Sequence, residues 1–219
     1  MDNTIGGATA GAGNVISANG LDNSPSTSSN GILIMGESAT GNLVQGNFIG
    51  TDISGGIDLG NVNDGVHIFD APNNNVGGTL TGARNIISGN RFDGVRLTGD
   101  LATGNLVQGN YIGTDAAGGA DLGNGSGIGV DSAPDNTIGG SVAGAGNVIS
   151  GNGFGVLVTS GIGNRIQGNR IGTDANGTAP LGNTLAGALL NLISMNTTVG
   201  GPAGAGNIIA FNSGGGGSG

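Results

Sequence analysis

The 219-residue chain has no cysteine, tryptophan or lysine, and its aromatic set is five Phe and one Tyr. Without cysteine there is no disulfide framework, no thiolate metal site and no cysteine nucleophile. With so few aromatics, any core must be built from aliphatic side chains. No apolar run approaches the ~20 residues that cross a bilayer as a helix, so membrane insertion is not expected. Positive charge is scarce as well. Five Arg stand against 13 Asp and one Glu, a net charge of −9. Binding to a phosphate backbone needs clustered cations, so nucleic acid is not an expected partner.

Glycine is abundant, at 52 residues, several times its usual share of ~7%. That load opposes long helices, since each interior Gly costs roughly 1 kcal/mol. Gly does not fall at every third position, which excludes collagen. Ile, Val and Leu recur at fixed intervals, which speaks against disorder.

Three motifs repeat. Gly41 to Asp52 is matched by Gly104 to Asp115, with Tyr111 for Phe48, and by Gly163 to Asp174. The run Asp2-Asn3-Thr4-Ile5-Gly6-Gly7 is matched at Asn73, Asp135 and Asn196, each copy leading to an Asn-aliphatic-Ile run. A Gly-aliphatic-x-aliphatic motif starts at Gly31, Gly65, Gly94, Gly127, Gly155 and Gly187, at spacings of 34, 29, 33, 28 and 32 residues. Long and short units therefore alternate. Each holds three short alternating segments, the strand signal. In the first long unit these are Gly31–Ile34, Asn42–Gln45 and Asn47–Ile49.

Three short strands per fixed period describe a solenoid coil. The expected fold is an all-β, single-stranded, right-handed parallel β-helix of about seven coils, alternating between ~33 and ~28 residues. At ~4.8 Å per rung, seven rungs make a rod roughly 34 Å long. The repeat domain covers 1–212, and 213–219 reads as a Gly/Ser tail or linker. One aliphatic per strand per coil points inward, as Val44, Ile49 and Val66 do. Asn14, Asn47, Asn85, Asn110, Asn147, Asn169 and Asn207 form a corner column before the third strand. A similar column before the second strand runs from Asn3 to Asn164 and ends at Thr197. Asn tolerates left-handed backbone, and its amides can bond the coils above and below.

The Asn-x-Ile-x-Gly-Asn runs, as at Asn164–Asn169, and the Gly-Val-x-Ile runs, as at Gly65–Ile68, resemble the right-handed parallel β-helix of the pectin-lyase-like superfamily. More narrowly, they are similar to the carbohydrate-binding and sugar-hydrolase type of repeat in bacterial extracellular and surface proteins. The resemblance covers roughly residues 2–212. It implies an extracellular or cell-surface location, although no signal peptide is visible in this sequence. It also directs attention to the outward face of the first strand, where related enzymes act.

On that face the outward column reads Leu33, His67, Arg96, Gly129, Leu157, Leu189. His67, Arg96, Asp93 and Asp131 are the candidate catalytic residues, a base and a cation beside carboxylates. The competing reading makes them solvated strand and turn residues. Phe48 and Tyr111 are candidate ligand-binding rings, for stacking on sugars, unless the long loops fold over them. Asp52 with Asp58, and Asp115 with Asp121, are candidate calcium ligands, the alternative being closure of Asx turns. No other cofactor is expected. The leading expectation is a structural repeat segment (spacer, adhesin stalk or scaffold) that self-associates end to end or laterally. The alternatives are a polysaccharide-binding or lyase-like module and an engineered β-solenoid, the latter suggested by the missing lysines and the Gly/Ser tail.

Overall fold

The computed structural model describes residues 2–20 and 29–214. Residues 215–219, most of the Gly/Ser tail, lie outside the described residues. Twenty short strands form three sheets of parallel neighbours. Sheet I holds β3 (Ile32–Met35), β6 (Val66–Phe69), β9 (Asp93–Thr98), β12 (Ser126–Asp131), β15 (Phe154–Ser160) and β18 (Ala186–Ile193). Sheet II holds β1 (Thr4–Gly6), β4 (Leu43–Gln45), β7 (Asn75–Gly77), β10 (Leu106–Gln108), β13 (Thr137–Gly139), β16 (Arg165–Gln167) and β19 (Thr198–Val199). Sheet III holds β2 (Val15–Ile16), β5 (Phe48–Ile49), β8 (Ile86–Ile87), β11 (Tyr111–Ile112), β14 (Val148–Ile149), β17 (Arg170–Ile171) and β20 (Ile208–Ile209). Every third strand joins the same sheet, which makes the chain a β-solenoid. A 3-10 turn at Thr81–Ala83 is the one helical element among the described residues.

The coil count needs correction. Seven coils follow from counting the second- and third-strand columns, and sheets II and III do hold seven strands each. Sheet I holds six, so six complete coils follow a two-stranded opening of β1 and β2. The asparagines stand at the corners just before the strands, as expected, with their side chains bonding along the stack.

The aliphatic positions read as inward are inward. Val44, Ile49, Val66, Ile68, Val107, Ile112, Ile149 and Ile171 are all at 0% exposure. Parallel register stacks like on like, for example Ile49 on Ile87 and Val107 on Ile138. A column that the motifs did not reveal, Ala71, Ala102 and Ala133, fills the corner after sheet I. Burial of this kind stabilises by ~25 cal/mol per Å² of apolar surface, and it supplies most of the driving force in a chain so poor in aromatics.

Asparagine ladders fix the corners. In the third-strand column, the backbone N–H and Nδ2 of Asn47 both donate to Oδ1 of Asn85, at 3.0 Å each. Asn85 does the same to Asn110, and Asn110 to Asn147. The remaining Nδ2 proton goes to a backbone carbonyl, as from Asn110 to Val76 at 2.9 Å. The second-strand column is built alike from Asn3 to Asn164. At its end Thr197 Oγ1 is buried without a partner.

A further rule governs the corner before sheet II. Every coil takes positive φ there. Asp2, Asn73, Asp135 and Asn196 alternate with Gly41, Gly104 and Gly163. The Asx side chain lies over the glycine of the next coil, where a Cβ would overlap the Asp2, Asn73 or Asp135 oxygen. Each Asx must therefore be followed by Gly in the next coil, and along this chain the two alternate with a repeat of two coils.

Candidate functional site

Sheet I brings the expected residues to neighbouring rungs. His67 pairs in register with Arg96, and Arg96 with Gly129. Parallel pairing puts such neighbours ~4.8 Å apart. Where the chain enters these strands, Asn30, Asp64 and Asp93, the last the first residue of β9, form a short column of their own. The Asp64 N–H donates to Asn30 Oδ1 and the Asp93 N–H to Asp64 Oδ1, each at 3.0 Å. Two carboxylates are thereby stacked, and Asp64 is only 4% exposed.

This crowding sets the electrostatics. Burial, reinforced by the Asp64 charge, pushes the Asp93 carboxyl up to about 6, against the pull of Ser126 and Arg96. Burial also holds His67 below its ordinary value, despite the opposing Asp64 charge, and Arg96 lowers it further. His67 Nδ1 lies 3.6 Å from Asp64 Oδ2, and its Nε2 lies 2.7 Å from Thr98 Oγ1. Phe69 meets the imidazole edge-on, with centroids 6.1 Å apart. The imidazole is thus neutral at pH 7 and fixed on three sides.

Gly129 is the one gap in the outward column. A Cβ there would overlap the Asp93 carboxylate. The gap floors a cleft of about 250 Å³ lined by Asp93, Arg96, Asp131, Leu157 and Thr159. Arg96 separates it from a second cleft of about 270 Å³, lined by Asn30, Asn63, Asp64, His67 and Phe92. Asp131 stands at the far end of its strand, where the Ser132 and Ser160 hydroxyls donate to its Oδ1. A carboxyl that titrates near neutrality beside a neutral imidazole and a guanidinium can donate, accept and offset charge.

Phe48 and Tyr111 lie on sheet III under the long loops. Gly55 folds over Phe48 and Gly118 over Tyr111, close enough that a Cβ would meet the ring. The Arg84 guanidinium covers Tyr111 at 3.9 Å from its centroid. The loops also bond each other across two coils, Ala116 N–H to Gly55 O at 3.0 Å and Ala175 N–H to Gly118 O at 2.8 Å. A groove of about 460 Å³ runs beside Phe48, between Thr9, Ile53 and Arg84.

The loop carboxylates are engaged locally. Asp52 Oδ1 accepts the Gly56 and Ile57 N–H groups, Asp115 those of Gly119 and Ala120, and Asp174 those of Thr178 and Ala179. The Ser54 hydroxyl and then the Ile57 and Gly56 N–H groups hold the Asp52 carboxyl below the usual range, and the Ala179 and Thr178 N–H groups do the same for Asp174. Asp121 caps Gly123, while Asp58 Oδ1 lies against Gly89. No group of three or more His, Cys, Asp or Glu that could hold a metal occurs among the described residues.

Sequence reasoning missed a third ladder: Asn19, Asn61, Asn90, Asn124, Asn152, Asn183 and Asn212, at the corner before sheet I. The signal was present as an Asn three or four residues before every first-strand Gly from Gly65 to Gly187. Also missed were Ser17, Ser88 and Ser150, each donating at 2.7 Å to a Thr carbonyl of the next coil. Compared with family models, curated proteins and solved structures, the chain matches none.

Proposed function

We propose that this chain is a rigid repeat segment, a spacer or scaffold of the kind found in extracellular and surface proteins of the pectin-lyase-like type. The observation that carries this reading is the set of three asparagine ladders running along the stack beside an unbroken aliphatic core. Nearly every buried amide is spent on holding one coil to the next, which is what a load-resisting rod requires. Small-angle scattering and a panel of polysaccharide substrates test it. The expected result is an elongated, concentration-independent cross-section and no turnover. Turnover that vanishes in His67→Ala and Arg96→Ala would falsify the rod reading.

A second reading rests on the stacked Asp64–Asp93 pair beside His67, Arg96 and the Gly129 gap. It makes this face a polysaccharide-binding or lyase-like module. Its signature is a rise in melting temperature with an acidic polysaccharide that is lost in Arg96→Ala. An unchanged melting temperature across acidic and neutral glycans removes it.

A further inference from the structure

The two end faces of the stack are complementary in hydrogen bonding. Each ladder has one polarity, with the N–H and Nδ2 groups of one coil donating to Oδ1 in the following coil. At the first coil Asn14 and Asn19 are exposed. Their Oδ1 atoms accept no hydrogen bond among the described residues, although their own donors are used on Asn47 and Asn61. At the last coil the position is reversed. Asn207 and Asn212 give Nδ2 to carbonyls, Ile166 and Ile171, while their backbone N–H groups find no partner among the described residues. One face therefore offers acceptors and the other donors, at the same two corners of the same cross-section.

The apolar surface agrees. Val199 and Ile209 are 44% exposed, although the residues below them in the same columns, Ile166 and Ile171, are at 0%. At the other face Ile5 and Ile16 are only partly buried. Resting on the rod reading, we propose that a second copy of this chain docks head to tail on the last coil. Asn207 donates to Asn14 of the next copy, and Asn212 to Asn19. Such a contact does not close on itself and grows linearly.

The fit is deliberate at two corners and poor at the other. Before sheet II, Thr197 ends the ladder, and Asn196 meets Asp2 of the next copy where every interior Asx meets glycine. The association is accordingly weak, and Asp2→Gly strengthens it.

Because the chain lacks cysteine, engineered thiols report the geometry directly. Val15 and Ile208 are the first and last residues of one outward column of sheet III. Stacked coils would place them ~4.8 Å apart, within the Cα range of ~4.4–6.8 Å that a disulfide spans. An equimolar mixture of the Val15→Cys and Ile208→Cys chains, folded by circular dichroism, is expected to give the mixed disulfide on mild oxidation. Neither variant alone does so. Light scattering on the unmodified chain is expected to show mass rising with concentration, weakened roughly tenfold by Ile209→Asp and increased by Asp2→Gly. A disulfide from Ile208→Cys alone means that two C-terminal faces pair, and it overturns the proposal. So does a monomer at every concentration. If that monomer still scatters as a rod, the stacking has failed and the rod reading stands. If it does not, both have failed.

Discussion

At the scale of single residues, position in a ladder decides what a substitution costs. Asn110 is fully buried and serves as acceptor for Asn85, donor to Asn147 and donor to the Val76 carbonyl. Asn110→Leu strands all three, and an unsatisfied buried polar group costs ~1–3 kcal/mol. The expected destabilisation in urea unfolding is therefore about 3 kcal/mol, against under ~1 kcal/mol for Asn14→Leu at the exposed end. Asp93 behaves in the opposite sense. Its folded-state value, about 6, lies above the ordinary carboxyl value of 3.8, so the folded chain holds the proton more tightly. That contribution is fully present below pH ~4 and is lost as pH rises through ~6, at ~1.4 kcal/mol per unit. Asp93→Asn is thus expected to raise the melting temperature at pH 7 by an amount worth ~2–3 kcal/mol and to leave it unchanged near pH 3.5. Equal shifts at both pH values would mean that the carboxylate carries no burial penalty.

At the scale of elements, the long loops are covers for sheet III. Gly118 sits at φ +71° over Tyr111 and against Ala175 of the next long loop. Gly118→Val is expected to lift the loop and increase acrylamide quenching of Tyr111, the only tyrosine, with the far-ultraviolet spectrum preserved. The strands and their inward faces were legible because a period of two in aliphatic residues has one physical reading. The third-strand ladder was legible because Asn recurs there in every coil. The ladder beginning at Asn19 was harder to see, since its spacing to the first-strand glycine is three or four residues from Asn61 to Asn183 but twelve at Asn19. The candidate site was only partly legible. The His67–Arg96 adjacency follows from register alone, but the Asp64–Asp93 stack depends on two side chains turning along the rod axis, and no spacing rule encodes that. Nor does a motif distinguish Asp52 as a loop clamp from Asp52 as a metal ligand. What no motif encodes is that Asp52 Oδ1 accepts the Gly56 and Ile57 N–H groups of its own loop.

At the scale of the whole molecule, stability is shared between neighbours, as in any solenoid, but the neighbours here are not equivalent. Removing residues 65–126, one short and one long coil, leaves Gly41 followed by Asp135 and keeps the alternation intact. Removing residues 94–126 alone sets Asn73 against Asp135. The first deletion is expected to give a shorter, folded rod with sharp amide dispersion in NMR. The second is expected to lose protection around the broken corner or to fail to fold, and if both fold equally well the corner rule is wrong. Excision of a short coil, residues 65–93, spares the corner but brings two long loops onto adjacent rungs at ~4.8 Å, half the separation at which Ala116 reaches Gly55. The Asx-over-glycine corner and the two-coil spacing of the long loops together act as a parity rule on inheritance. Lengthening or shortening of such a gene by unequal crossing-over can survive only in steps of two coils, so viable descendants of this rod differ by even numbers of repeats.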